Sequence, residues 1–548
     1  MDIVERRMAE ASSLITALQS AQCFPHPVAR LQVIETHISW VILTGKYAYK
    51  IKKPVNLGFA DFSTLTLRKR CCVNEYRLNK RLAPKLYLGV VAIRGSRNAP
   101  RIGGTGRVLE YAVKMQQFPQ EALASRALKK GRFGSAQIDL LAAAISAFHN
   151  EAPVAGPSGS LGTPESVLRL AIQNFDQMLP LIMTAPDLKS TCALKQWTGN
   201  EFVGLRAAMK ARKTRGYVRE CHGDLHLGNI ALLRARPVPF DCIEFSEELR
   251  WIDVMSEVAF VVMDLEDRGR GDLGWRFVNR YLEVTGDYAG MAVFRFYLVY
   301  RALVRAKIHL MRSRQQGLSP GDRRRLTKAF REYLHLAERF ASRRTPSLIL
   351  THGLSGSGKT TATQPLMERI GAIRLRSDLE RKRLHGLAVL ESSGSALGRG
   401  IYTRRASDAV YRRLEALARV VLDTGFSVLV DATFLRYTER AMFRRLAEQL
   451  SAPFLILDFR VPHPVLRARI AERHVRADDA SEADLAVLER QIATNDPLSA
   501  AELAEALTLG NLGLSDDSLA SVVVRRLRST ARKSGLHRVV RRSSAGTH

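Results

Sequence analysis

Residues 347–370 read SLILTHGLSGSGKTTATQPLMERI. The apolar run Leu348-Ile349-Leu350 predicts a strand, the glycine-rich stretch after it a tight turn, and the residues from Lys359 onward a helix. Gly353, Gly358, Lys359 and Thr360 fit the spacing G-x-x-x-x-G-K-[ST]. Glycines in such a turn let backbone N–H groups converge on phosphate oxygens at a helix N-terminus. Lys359 adds a positive charge there, and the Thr360 hydroxyl can ligate Mg²⁺. The candidate nucleotide-binding residues are therefore Gly353, Leu354, Ser355, Gly356, Ser357, Gly358, Lys359, Thr360 and Thr361.

Outward from this stretch, AIRLRSD, FSVLVDATF and FLILDFRV read as further strands separated by helical segments. That alternation predicts a parallel sheet, an α/β P-loop domain. Asp431 closes the apolar run Val428-Leu429-Val430, where a carboxylate can help hold the metal. Asp378, in RLRSDLERKR, falls at the C-terminal edge of the preceding strand, the ligand side of a parallel sheet. Two roles stand open for it: base toward a substrate hydroxyl, or N-cap of the next helix. PVLRARIAERHVRADDAS places Arg467, Arg469, Arg473 and Arg476 on a helix and the loop after it; Arg467 and Arg473 are the candidates to close over a transferred phosphoryl group. The basic, Pro-ended SRRTP at residues 342–346 predicts a boundary near 345, with two parts that fold separately.

Ahead of that boundary the pattern changes. From about Ile34 to Met115 it is strand-rich, with a hairpin turning at Thr44-Gly45-Lys46 and one helix near Leu67–Leu82; from Glu121 to about Arg344 helical periodicity dominates. Two irregular stretches interrupt it, HGDLHLGN (222–229) and PVPFDCIEF (237–245). In the first, Asp224 can accept the proton of a substrate hydroxyl while Asn229, five residues on, ligates Mg²⁺; Asp241 in the second is placed as the other metal ligand. In YAYKIKKP, Lys50 and Lys52 point to one face of a strand. Cys71, Glu75, Leu78 and Leu82 share one face of the helix, so a carboxylate sits in an apolar stripe and needs a partner or an escape to solvent.

Residues 346–510 resemble the small P-loop kinases that include gluconate kinase and zeta-toxin-like proteins, on GLSGSGKTT, SDLERKRL, VLVDATF and the arginine helix. HGDLHLGN and its surroundings resemble the catalytic core of aminoglycoside phosphotransferases. That resemblance implies an α+β protein-kinase-like N-terminal domain in which a strand Lys, Lys50 by the form A-Y-K with Lys52 as runner-up, pairs with Glu75 and meets nucleotide phosphates. The glycine-rich clamp of protein kinases is missing. The whole chain is similar to bacterial two-domain proteins described as predicted bifunctional phosphotransferase/ATPases. The expected domains are 1–345, 346–515 and a basic, flexible tail from 516 to 548.

Composition sets the outer bounds. At 548 residues, with 46% hydrophobic and 25% charged residues, the chain reads as a multidomain globular enzyme. Six cysteines without metal-ligand spacing predict reduced thiols, and the lack of a long apolar run predicts no membrane association and a cytoplasmic protein. The formal charge is +31, and Arg525 to Arg542 holds eight Arg or Lys with no Asp or Glu. No aromatic residue interleaves that block to stack on bases, so small-molecule acceptors are favoured over nucleic acid. The resulting expectation is an ATP- and Mg²⁺-dependent phosphotransferase with two separate sites acting on small-molecule hydroxyls. The alternatives are a P-loop enzyme gated by a kinase-like ligand-binding domain and a nucleic-acid end-processing kinase.

Overall fold

A computed structural model describes residues 3–56, 58, 61–342, 345–388, 391, 401, 403–476, 484–509 and 516–533, with backbone alone at 3–7, 473–476, 516–517 and 531–533. By contacts the chain divides into two units, residues 1–181 with 198–264, and residues 182–197 with 265–548. The boundary read from the sequence, near 345, lies inside the second of these.

In the first unit, short β-branched and aromatic runs form an antiparallel sheet: β1 (Gln32–Glu35), β2 (Ser39–Leu43), β3 (Tyr47–Lys52), β4 (Tyr87–Ser96), β5 (Ala99–Ile102) and β6 (Val108–Gln116). Their order is β1-β2-β3-β6-β4-β5. The period-2 alternation puts Trp40, Ile42, Tyr49 and Ile51 into one core with Ile93, Ala112, Leu14 and Leu18. On the sheet lies α1 (Leu65–Asn79), capped by Thr64, whose hydroxyl accepts from Leu67 N at 3.2 Å. Its buried stripe is Cys71, Cys72, Glu75 and Leu78. HGDLHLGN follows the strand Val218–Glu220 and leads into a ribbon of Ile230–Leu233 with Arg236–Pro239. Further along, α2 (Val254–Asp267) begins at Asp253, which accepts from Met255 N at 2.9 Å and holds Arg212 at 2.7 Å. Asp253 is thus a helix cap.

The second unit contains α3 (Gly271–Thr285) and a five-stranded parallel sheet built from β7 (Leu348–His352), β8 (Ile373–Arg376), β9 (Val428–Asp431), β10 (Phe454–Phe459) and β11 (Ala506–Leu509). The order is β8-β9-β7-β10-β11. The three central strands β7, β9 and β10 are buried along their whole length and mostly apolar, as a sheet covered on both faces demands; the edge strand β8 alternates Ile373 and Leu375 with the buried Arg374 and Arg376. Between and after the strands come α4 (Lys359–Ile370), α5 (Ser377–Leu384), α6 (His463–Arg476), α7 (Leu485–Ala493) and α8 (Asp516–Lys533). The expected flexible tail is helical at its start: α8 buries Leu519, Ala520 and Val523 against Leu366 and Met367 of α4. Apolar residues at helical spacing, overshadowed in the sequence by the arginines that follow them from Arg525 on, account for the difference. The rest of the tail, residues 534–548, lies outside the described residues.

α3 lies along the open edge of β8. Asn279 Nδ2 donates to Ala372 O at 3.0 Å, and its Oδ1 accepts from Arg374 N at 2.7 Å. Glu283 accepts from Arg374 at 2.6 Å. Burial raises the Glu283 carboxyl, but Arg374, Arg376 and Arg280 outweigh it and hold the group below its usual range. The six cysteines are free, five of them buried. Among the described residues no helix is long and apolar enough to cross a membrane.

Candidate active sites

In the first unit both strand lysines reach the same carboxylate. Lys50 Nζ lies 2.9 Å from Glu75 Oε1 and also contacts Asp241 Oδ1; Lys52 Nζ lies 2.5 Å from Glu75 Oε2 and 2.5 Å from Glu244 Oε1. Glu75 is fully buried, so the escape to solvent is not taken. Burial opposes its charge, but Lys50 and Lys52 overcome that and keep the carboxyl below its ordinary range. Burial likewise opposes the Lys50 charge, and Asp241, Glu75 and Glu244 reverse it. Sequence reasoning posed Lys50 and Lys52 as alternatives for the lysine that meets nucleotide phosphates; both pair with Glu75, and Glu244 is a partner that reasoning missed. Two like charges on one strand face need a second acid, which is the signal that was available. Glu75→Gln leaves two buried ammonium groups short of an anion. A loss of about 3 kcal/mol is expected in a denaturant titration of the full-length protein, and an unchanged midpoint would contradict the pairing.

The loop His222–Asn229 is held from several sides. His222 Nε2 faces Phe240 O at 2.8 Å; a carbonyl can only accept, so Nε2 carries the proton and Nδ1 accepts from Asp224 N at 3.3 Å. Asn229 Nδ2 donates to Asp224 Oδ2 at 2.8 Å. From α2, Glu257 accepts from Gly223 N at 2.7 Å, His222 N at 3.1 Å and His149 Nε2 at 3.1 Å, and Asp264 accepts from Leu227 N at 2.8 Å. Gly223, at φ +87°, leaves no room for a Cβ, which would meet Leu249 O at 2.7 Å. Asp241 itself has φ +65°, and its N–H donates to the Tyr87 hydroxyl at 3.1 Å. None of these carboxylate props was legible, because each joins residues more than thirty positions apart.

Glu257 gives the fold an acid limit. Burial raises its carboxyl, but the His149 hydrogen bond and the other donors lower it to about 2. Because the folded value lies below the unfolded one, its stabilising contribution is complete above about pH 4.5 and is lost as pH falls toward 2. Acid titration of Glu257→Gln should therefore show a shallower stability decline between pH 4.5 and 2 than the parent. Parallel curves would speak against the linkage.

The glycine-bearing turn Thr44–Lys46 joins β2 to β3 at the end away from Lys52, whereas the turn at the lysine end is residues 36–38, which has no glycine. Lys53 and Glu35, 2.5 Å apart, tie that turn down.

In the second unit the P-loop runs from β7 into α4 with Gly353, Gly356 and Gly358 at φ +144°, +81° and +83°. A Cβ on Gly353 would lie 2.8 Å from Phe459 O. Lys359 Nζ donates to Gly353 O at 2.9 Å, Leu354 O at 2.8 Å and Ser357 Oγ at 3.3 Å. Thr360 Oγ1 donates to Asp431 Oδ2 at 2.7 Å. Thr361, next on α4, is exposed. Asp378 lies half-buried in the first turn of α5, two residues past Arg376, which is in register with Asp431. Arg381 turns to Ile401 O at 2.9 Å.

Of the four candidate arginines, Arg467 pairs with Glu489 at 2.7 Å on the surface, and Arg469 Nη1 lies 3.4 Å from Gly356 O in the loop. The side chains of Arg473 and Arg476 lie outside the described residues. A residue the sequence did not mark, Gln491 of α7, bonds Ser355 through both ends of its carboxamide.

The donor sets suit a hard divalent cation. Thr360 and Asp431 offer a hydroxyl and a carboxylate in contact in the second unit. In the first, the Asn229 amide bonds Asp224 through nitrogen and leaves its oxygen available, and the Asp241 side chain is 39% exposed.

Residues 348–498 match the AAA domain family, which implies ATP binding by that region. The uncharacterized protein Rv2004c of Mycobacterium tuberculosis is 31% identical over 465 residues, spanning 84% of this chain and 90% of the relative. Among solved structures, a gluconokinase from Sinorhizobium meliloti is 18% identical, covering 36% of this chain and 99% of its own at a TM-score of 0.26. An amicoumacin kinase solved with AMP-PNP is 13% identical, covering 61% and 95% at a TM-score of 0.38. The chain joins an α+β part built on an antiparallel sheet to an α/β P-loop part with a parallel sheet, the region that matches the AAA domain family.

Proposed function

Because the chain belongs to the family of the mycobacterial protein Rv2004c, matched over a length greater than either half and so across both, we propose that it is a bifunctional ATP-dependent phosphotransferase. One module carries the HGDLHLGN loop and the other the P-loop, and the acceptors are small-molecule hydroxyls. The observation that carries this reading is the Thr360–Asp431 contact of 2.7 Å beneath the loop that Lys359 closes.

In the second module, the loop amides and Lys359 bind the donor phosphates, Asp378 takes the acceptor proton, and an arginine of α6 neutralises the transferred group; Arg469 is better placed for this than Arg467. In the first, Lys50 orients the donor phosphates while Glu75 and Lys52 hold it in place, and Asp224 accepts the proton of the acceptor hydroxyl. Asn229 and Asp241 would hold Mg²⁺ there, as Thr360 and Asp431 would in the second; a bound cation neutralises phosphate oxygens.

The test is transfer of label from γ-labelled ATP into a metabolite pool by the full-length protein and by two variants, Asp224→Asn and Lys359→Ala. Two product sets are expected, one lost in each variant. A change of tenfold or more in P-loop turnover on Asp224→Asn would instead make the first module a gate for the second.

A further inference from the structure

We propose that Gln491 is the residue by which the P-loop distinguishes a nucleoside triphosphate from a diphosphate. The inference rests on the second module being an ATP site. Leu354, inside the loop, packs with Leu466, Ile470, Leu488 and Ile492, so α6 and α7 are seated on the loop by an apolar cluster. One turn beyond Leu488, the Gln491 carboxamide straddles Ser355: Oε1 accepts from Ser355 N at 2.9 Å, and Nε2 donates to Ser355 Oγ at 3.0 Å.

The place of this contact matters. Lys359 Nζ touches the carbonyls of Gly353 and Leu354, the two residues before Ser355. The ammonium group and the carboxamide therefore act on one short stretch of the loop. A P-loop lysine reaches the β- and γ-phosphates, while the amides nearer the helix take the inner ones. Ser355 is thus at the terminal-phosphate end. An anionic oxygen arriving there competes for the Ser355 N–H that Oε1 now occupies. Rotation about the last side-chain torsion of Gln491 then turns Nε2–H₂ to the same anion, so Ser355 and Gln491 become adjacent donors. A donor to the terminal phosphoryl oxygens has a partner in ATP and none in ADP. One hydrogen bond to a charged group corresponds to about a tenfold change in affinity at the low end of its range.

The experiment is calorimetry on the full-length protein with Mg²⁺, using ADP and a non-hydrolysable triphosphate analogue; the P-loop site is identified as the binding event absent in Lys359→Ala. Gln491→Ala should weaken the analogue about tenfold and leave ADP within twofold. Gln491→Glu, which keeps the size and places a carboxylate against the phosphate, should weaken the analogue further than Ala does. An unchanged ratio, a tightened analogue, or an equal loss of both nucleotides overturns the proposal, the last marking Gln491 as a strut of the loop. If Lys359→Ala loses no binding event, the P-loop reading itself fails; if it loses one while the Gln491 variants keep the parental ratio, only the present inference does.

Discussion

Lys359→Ala is expected to remove one of two ATP-binding events from the full-length protein, with a loss of about 10²–10³-fold in affinity at the P-loop. Lys359 is 9% exposed, and its ammonium group is spent on Gly353 O, Leu354 O and Ser357 Oγ. It both shapes the loop and stands ready for phosphate, and each charge-assisted bond is worth about 1.5–3 kcal/mol. Truncation removes the charge and lets the carbonyls of residues 353 and 354 face incoming phosphate unshielded. The fold itself should persist, because β7 and α4 are fixed by apolar packing of Ile349, Leu366 and Met367. Calorimetry resolving two undiminished events would refute the assignment. Asp431→Asn, by contrast, should shift the Mg²⁺ dependence more than the nucleotide affinity, since Asp431 meets the loop only through Thr360.

Asp224→Asn should silence phosphoryl transfer by the first module, by about 10²–10⁴-fold, the range for loss of a positioned general base. An amide oxygen can still accept from Asn229 Nδ2, which now bonds Asp224 Oδ2 at 2.8 Å. The loop is moreover held through its backbone by Glu257 and Asp264. Melting should therefore stay close to the parent while labelled product disappears. Retention of transfer within a few-fold would place the base elsewhere and leave Asp224 as a loop residue.

The contrast between these two sites and Gln491 shows what a sequence can carry. GLSGSGKT and HGDLHLGN are local: their chemistry needs several groups within one turn, so spacing alone exposes them. Glu75 was legible for a related reason, since a carboxylate in an apolar helical stripe contradicts its surroundings. Glu244, Glu257 and Gln491 act across long stretches of chain, and each is an ordinary polar residue in its own segment. α8 escaped for the opposite reason: its arginines dominate the composition while Leu519 and Val523 decide its packing. The sheet order β8-β9-β7-β10-β11 follows from no single segment, because it records which strands meet after the crossovers.

The seating of α3 on β8 bears on how the protein can be handled as a reagent. Asn279 serves as a one-residue substitute strand, satisfying Ala372 O and Arg374 N on the side that β9 does not cover. A recombinant fragment started at residue 346 would be stripped of that cover and of Glu283, exposing a hydrogen-bonding strand edge and an arginine adapted to burial. Bare edges of this kind template strand addition between copies, the first step of precipitation. Expression of the nucleotide-binding half is therefore better begun before Gly271, where the chain still carries its own edge protector.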